Sequence, residues 1–387
     1  MANFMVERFT IDIATVPTFS SGSEVEEVLT RRDRGETVST YWRDGTAPEI
    51  VELEVRYANF VGVAEGNLHL YNSGMAAIRD AIDAVDPTAD DLVLCAQDLY
   101  ERSHDIFVKL EKKRVKVVKF NSGSLDNIEA LLKDSKPKAV FAETVANAGD
   151  MPVLDVERLL SHLDLSTTLL VLDNTLPTPS VWPVVEHVKE EDRFLIVESG
   201  TKSYALNKDL MGITYSNNSE LMYELWRNRR TYGSTLSAAT TALATKLISF
   251  SKEDFDRRNR RIVANTLVLA RKLAESADSS KFKIMHPNIA GRQNYDYVSK
   301  RFPAGCTSTF WIYCLESDRA QFELLDALSK NHKVRDLSVF SQSFGFSKTR
   351  IWAYLGNDAR ARVSAGEETS DEIEELATEF GKVLSAM

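Results

Sequence analysis

Cysteine is scarce in this 387-residue chain. Cys95, Cys306 and Cys314 are odd in number and lack metal-ligand spacing. They argue against a disulfide framework and point to free thiols in a reducing compartment, the cytoplasm. The six histidines are scattered, with no His-x-x-x-His or Cys-x-x-Cys pattern, so no metal site is expected. No apolar run reaches the roughly 18 residues that a membrane-spanning helix needs. The start, Met1-Ala2-Asn3-Phe4-Met5-Val6-Glu7-Arg8, lacks the charged-then-apolar order of a signal peptide. Basic charge is also lacking: the formal balance is −10. Nucleic-acid binding, which needs a basic face, is therefore not expected, and neither is attachment to an anionic membrane. What remains is an ordinary globular balance, 43% hydrophobic and 27% charged, in a chain long enough for two or three domains.

Near the start, Val25, Val28 and Leu29 begin a short helical pattern, with Ser23 and Glu26 at capping-box spacing. The stretch 40–48 reads as a loop by its Gly45 and Pro48. Its Tyr41, Trp42 and Arg43 make either a binding element or a surface anchor. Ile50, Leu53, Tyr57 and Phe60 restore helical spacing. From His69 to about Asn217, apolar runs at 92–95, 115–118, 139–141, 169–172, 195–197 and 213–215 alternate with helical patterns. This predicts an α/β fold with a mostly parallel sheet covered on both faces. In such sheets ligands sit beyond the carboxyl ends of the strands. Further on, 237–250 and 255–273 read as long helices, and 307–313, 350–354 and 361–364 as strands of a second sheet. A last helix, with Ser370 as its N-cap, completes a smaller α+β unit.

The residues just after each run are the candidates. After 194–197 come Glu198-Ser199-Gly200-Thr201 and then Lys202. A lysine past the end of a buried strand is placed to be desolvated, which frees its amine to attack a carbonyl. An ordinary loop lysine is the plainer alternative. Ser199 and Thr201 flank it with short hydroxyls suited to a phosphate. Ser73-Gly74-Met75 opens a helix whose unpaired N–H groups make a phosphate seat, although serine is also a common N-cap. Tyr100 can stack on a flat ring or pack as core. Asn147 can donate to a ring oxygen or close a turn. Asp173 can pair with a protonated ring nitrogen or cap the next helix. In 361–364, strand alternation puts Arg362 and Ser364 on one face, and Arg360 is read as an exposed edge-strand neighbour.

Five pieces, at 73–77, 173–175, 199–202, 343–345 and 362–367, stand in an order that resembles the Cys/Met metabolism family of pyridoxal-phosphate enzymes. That family includes cystathionine γ-synthase, cystathionine γ-lyase, methionine γ-lyase and the O-acyl-homoserine sulfhydrylases. The resemblance runs from about Tyr41 to the end. It implies the aspartate-aminotransferase-like fold, type I: an arm over 1–55, a large α/β cofactor domain over 56–250 and a small C-terminal domain over 251–387. It also implies the roles. Lys202 would hold pyridoxal 5'-phosphate and shuttle protons, Asp173 would pair with the ring nitrogen, and Tyr100 would stack on the ring. Ser73, Gly74, Met75, Ser199 and Thr201 would hold the phosphate, and Asn147 would contact the ring's 3-oxygen. Arg362 would clamp the α-carboxylate of a small amino-acid substrate, beside Ser343 and Tyr41. Tyr41 and Arg43 match a Tyr-x-Arg that reaches the neighbouring subunit's cofactor phosphate, which makes a homodimer the smallest active unit. The family usually pairs dimers into homotetramers.

The activity implied is γ-replacement or γ-elimination on a homoserine- or homocysteine-derived amino acid, with β-elimination from cystathionine or cysteine as the second reading. A cofactor-binding regulator without turnover is a third, of another class. The chain departs from the family's pattern in places. Tyr-Gly-Gly-Thr reads Tyr100-Glu101-Arg102-Ser103, and Glu-Thr-Pro-Ser-Asn-Pro reads Glu143-Thr144-Val145-Ala146-Asn147-Ala148. Gly-His-Ser-Asp reads Leu206-Asn207-Lys208-Asp209, and Lys348 and Arg350 stand where the family rarely has cations. These changes fall on the substrate wall rather than the cofactor seat.

Overall fold

The computed structural model describes residues 48–387 apart from 208, 238–239, 242–243, 246–250 and 357. Tyr41 and Arg43, with most of the expected arm, lie outside the described residues, as does much of the helix expected over 237–250. Strands β1 (Leu68–Tyr71), β2 (Leu92–Ala96), β3 (Lys116–Phe120), β4 (Ala139–Glu143), β5 (Leu169–Asp173), β6 (Phe194–Glu198) and β7 (Gly212–Tyr215) form one sheet in the order β1-β7-β6-β5-β4-β2-β3. Strands β6, β5, β4, β2 and β3 run parallel, and β7 is antiparallel to β6 and β1. Every residue of β4 and β6 is buried, as a sheet covered on both faces requires. Edge strand β3 instead exposes Lys116 and Lys119, charges that discourage pairing with another chain.

A second sheet, in the order β10-β11-β12-β9-β8, contains β8 (Phe282–Met285), β9 (Phe310–Cys314), β10 (Ser338–Phe340), β11 (Thr349–Ala353) and β12 (Arg360–Ser364). Strands β1, β8 and β10 have three or four residues each and include His69, Lys283 and Ser338, so they do not stand out as apolar runs. Helices α1 (Pro48–Val61), α2 (Gly74–Val85) and α3 (Glu101–Lys112) belong with the first sheet, and α4 (Lys252–Ser276) packs along α5 (Ser370–Ala386).

The N-cap of α5 is Thr369, one residue before the expected Ser370. Glu372, three residues after Thr369, returns its carboxylate to the Thr369 N–H at 2.7 Å, and its own N–H donates to the Thr369 hydroxyl. From Ser370 the third residue is Ile373, which cannot close the box. Among the described residues, Cys95, Cys306 and Cys314 are free and buried, and no helix is long and apolar enough to cross a membrane.

Candidate active site

Strand β6 ends at Glu198 and passes into a single helical turn, Gly200–Ser203. A Cβ on Gly200 would lie 2.8 Å from Met211 Cγ, so the turn presses against Met211 because residue 200 is glycine. Thr201 clips it there: its N–H donates to the Met211 carbonyl at 3.0 Å, and its hydroxyl accepts from the Met211 N–H at 2.9 Å. The expected phosphate hydroxyl of Thr201 is thus engaged with backbone. Lys202 Nζ projects from this turn to Ser343 Oγ at 3.3 Å, with the Phe344 ring centroid 5.1 Å away. Burial lowers the amine's pKa to about 8, and the charges of Arg362 and Arg350 push the same way.

Asp173 ends β5 and sits in register with Glu143, which ends β4. It does not cap a helix; Oδ1 accepts from the Thr175 N–H at 2.9 Å. No cation pairs with it among the described residues, and burial raises its pKa. Glu143 is the residue that sequence reasoning passed over. One of its oxygens accepts from the Tyr100 N–H, and the other accepts from the Asn147 N–H at 3.3 Å. Burial, and then the neighbouring Asp173, push its carboxyl up to about 8. The one available signal was a carboxylate closing an otherwise apolar strand.

Ser73 caps α2, its hydroxyl accepting from the Ala76 N–H at 3.2 Å. A Cβ on Gly74 would meet Ser199 Cα at 3.3 Å, and one on Gly212 would come within 2.1 Å of the Ser73 carbonyl oxygen. Glycine at 212 is what lets β7 approach the opening of α2. The Gly74 and Met75 amides are the first of the helix and have no intrahelical acceptor, so with Ser199 opposite they form an anion seat. Ser199 is held in turn by its N–H donating to the Thr175 hydroxyl at 2.8 Å.

Tyr100 is 50% exposed at the opening of α3, which rules out the core-packing alternative. Its hydroxyl is within electrostatic reach of Arg362. Asn147 is half-buried, and its Oδ1 accepts from Trp311 Nε1 at 3.2 Å.

Opposite these groups lies β12. Arg362 Nη2 donates to the Ser343 carbonyl at 3.2 Å, and its guanidinium lies 5.2 Å from the Trp352 ring, 5.7 Å from Phe344 and 5.8 Å from Trp311. No carboxylate pairs with it among the described residues, and its buried Nε has no partner. Burial lowers its pKa to about 10. Arg360 differs from the expectation of an exposed edge residue. It is 8% exposed, its guanidinium 4.3 Å from the Tyr354 ring and 4.4 Å from Trp311, with Nη1 donating to Tyr313 Oη at 3.0 Å. The reason is topological: β12 lies between β11 and β9, inside the sheet. Arg350 donates to Ser341 Oγ at 3.1 Å and to the Gln342 carbonyl at 3.2 Å, bracing the loop that carries Ser343.

Residues 7–354 match the sequence profile of the Cys/Met metabolism PLP-dependent enzymes. The chain belongs to that family. A cystathionine β-lyase of Neurospora crassa is 24% identical over 230 residues, 58% of this chain and 47% of the relative, so the match spans about half that relative's length. Among solved structures, cystathionine γ-synthase from Xanthomonas oryzae pv. oryzae, in complex with aminoacrylate and cysteine, superposes with a TM-score of 0.73 at 18% identity. It covers 89% of this chain and 88% of its own. The metB protein from Corynebacterium glutamicum gives 0.70 at 18% identity over 89% and 86% of the two chains. These likenesses establish the fold-type-I architecture, with its large sheet and smaller second sheet.

Pyridoxal phosphate is the cofactor of the Cys/Met metabolism PLP-dependent family, and the residues present fit it. Asp173 is a carboxylate with no cation beside it among the described residues, Lys202 is a half-buried amine of lowered pKa, and the Gly74 and Met75 amides open α2 where Gly212 lets β7 come close. When bound, the cofactor supplies an electron sink for bonds at the substrate's α-carbon.

Proposed function

We propose that the chain catalyses γ-replacement or γ-elimination on a homoserine- or homocysteine-derived amino acid. The observation that carries this reading is the convergence of Lys202 and Arg362 on Ser343, an amine of lowered pKa beside a guanidinium that no carboxylate pairs with among the described residues. Arg362, with Ser343, binds and orients the α-carboxylate. Lys202 holds the cofactor and moves the proton at the α-carbon. Asp173 keeps a proton on the ring nitrogen, Tyr100 covers the ring, and Asn147 donates to its oxygen. The Gly74 and Met75 amides and Ser199 form the phosphate seat, with Ser73 capping its helix and Thr201 clipping its turn in place. Likeness to a cystathionine γ-synthase supports γ chemistry. The Neurospora relative favours a second reading, β-elimination from cystathionine or cysteine.

Borohydride reduction and peptide mapping test the cofactor seat: a pyridoxyl label belongs on Lys202, and a label on another lysine overturns the assignment. A panel of amino acids with product identification tests the reaction. Release of a 2-oxo acid and ammonia from a homoserine or homocysteine derivative, or a new thioether when a thiol is added, supports the first reading. Cleavage confined to cystathionine or cysteine supports the second, and no turnover of any amino acid would mean a cofactor-binding protein of another kind. Tyr41 and Arg43 make a homodimer the unit we propose as active, with dimers pairing into tetramers. Mixing inactive Lys202→Ala and Arg43→Ala subunits then restores part of the activity, whereas a fully active monomer refutes the arrangement.

A further inference from the structure

We infer that Trp311 is a positioning residue that fixes the direction of the Asn147 amide, so that the amide presents N–H rather than oxygen to the cofactor ring; this rests on the pyridoxal-phosphate reading of the site. An indole N–H can only donate. The Asn147 atom 3.2 Å from Trp311 Nε1 is therefore the carbonyl oxygen. A planar amide with its oxygen held toward the small sheet turns Nδ2 the other way. Nδ2 makes no hydrogen bond among the described residues, on a side chain that is half-buried in the cleft. The backbone of Asn147 is held too, its N–H donating to Glu143 Oε2 at 3.3 Å. With both ends fixed, the Nδ2 hydrogens are the side chain's uncommitted donors.

The Trp311 ring is itself held in place. It is 3% exposed on β9, between β12 and β8. The Arg360 guanidinium lies 4.4 Å from its centroid, and the Tyr354 ring meets it edge-on at 6.0 Å. Arg360 thus clamps the indole rather than meeting solvent. Trp311 is also the register partner of Arg362. One small-sheet residue therefore touches both the amide proposed to face the ring oxygen and the arginine proposed to bind the substrate carboxylate. Without the indole N–H, the amide is free to flip, and a flipped amide would set oxygen against oxygen.

The test uses the holoenzyme and the pH at which its visible absorbance changes. Trp311→Phe keeps a ring over the arginines and removes the N–H. A donor on the ring oxygen weakens that oxygen's hold on a proton at the Lys202 nitrogen. Losing the donor moves the absorbance midpoint upward by about 0.5–1 pH unit, what one net hydrogen bond is worth. Asn147→Ala shifts it the same way, and the double variant shifts no further than Asn147→Ala alone. We expect kcat to fall about three- to tenfold in Trp311→Phe, with KM within about twofold, as for a lost interaction that is not substrate binding. A Trp311→Phe midpoint equal to wild type, or shifts that add in the double variant, overturns the proposal. Should Trp311→Phe fail to fold, Asn147→Asp decides: its carboxylate still accepts from Trp311 but carries no N–H, so the midpoint must rise, and an unchanged one refutes the inference. Wild-type protein that develops no visible absorbance with pyridoxal phosphate overturns the reading of the site as well. Normal absorbance with unresponsive variants overturns the role of Trp311 alone.

Discussion

Lys202 donates to the hydroxyl of Ser343, a residue 141 positions later in the chain, at 3.3 Å. The carbonyl of the same serine accepts from Arg362 at 3.2 Å. Two cations that repel each other are thus held apart by one residue acting as acceptor for both. Ser343 does this at φ +93°, outside the usual range for a side chain with a Cβ. Such a conformation costs on the order of 1–3 kcal/mol and persists where its surroundings enforce it. Here Arg350 braces residues 341 and 342, and Gly345 packs where a Cβ would lie 2.3 Å from the Ser364 and Ala365 carbonyls.

The first expectation concerns the amine itself. With a pKa lowered to about 8, Lys202 is half neutral near that pH, and its neutral fraction falls tenfold for each unit below. In the cofactor-free protein, an amine-reactive arylating reagent should label Lys202 at a rate that rises with pH and levels off above about 8, well before ordinary lysines respond. Peptide mapping would show it. A labelling profile still climbing at pH 10 would mean that burial has not lowered the amine.

The two arginines of β12 should separate cleanly. Arg362→Ala loses the carboxylate clamp we propose, worth about 2–4 kcal/mol, so kcat/KM should fall roughly thirty- to a thousand-fold, with Arg362→Lys recovering part. Arg360→Ala should act on folding instead: removing a cation wedged between Trp311 and Tyr354 destabilises by about 2–4 kcal/mol, read as a lower urea midpoint. Equal stability losses in the two variants would contradict this division.

Glu143 gives a pH dependence of defined sign. Its pKa is raised from an ordinary value near 4.5 to about 8, so the folded state holds this proton more tightly than the unfolded chain. The stability it contributes is full below about 4.5 and is lost as pH rises through about 8. Glu143→Gln cannot titrate. In urea unfolding of the cofactor-free proteins, wild type should lose stability relative to the variant from pH 5 to pH 8. A constant difference between the two would mean that Glu143 ionises normally. Glu143→Leu, which orphans the Tyr100 and Asn147 amides, should cost about 1–3 kcal/mol per amide at pH 5.

Gly212→Ala probes the phosphate seat. The new methyl would meet the Ser73 carbonyl oxygen, which is backbone and cannot step aside. We expect a loss of about 1–3 kcal/mol in stability, together with faster loss of pyridoxal phosphate on dialysis. Unchanged retention would show that α2 and β7 can separate without opening the seat.

The sequence by itself determined the elements that local patterning encodes and the motif residues that end them. Buried parallel strands need unbroken apolar runs, so β2, β4, β5 and β6 were legible, and with them Tyr100, Asp173 and Lys202 at or just past their ends. Ser73-Gly74 announced the opening of α2 because a helix start has its own side-chain chemistry. Tertiary structure alone decided what depends on contacts between distant residues. Arg360 and Arg362 are two positions apart on one strand and look alike as sequence, yet the side chains packed around each make Arg360 a clamp on Trp311 and Tyr354 and bring Arg362 to Ser343, beside Lys202. The same holds for Glu143, whose value lies in the two amides it receives, and for Trp311, whose indole crosses to Asn147 from 164 residues away. Burial, register and pairing across the cleft are properties of the packed molecule, and no local pattern carries them.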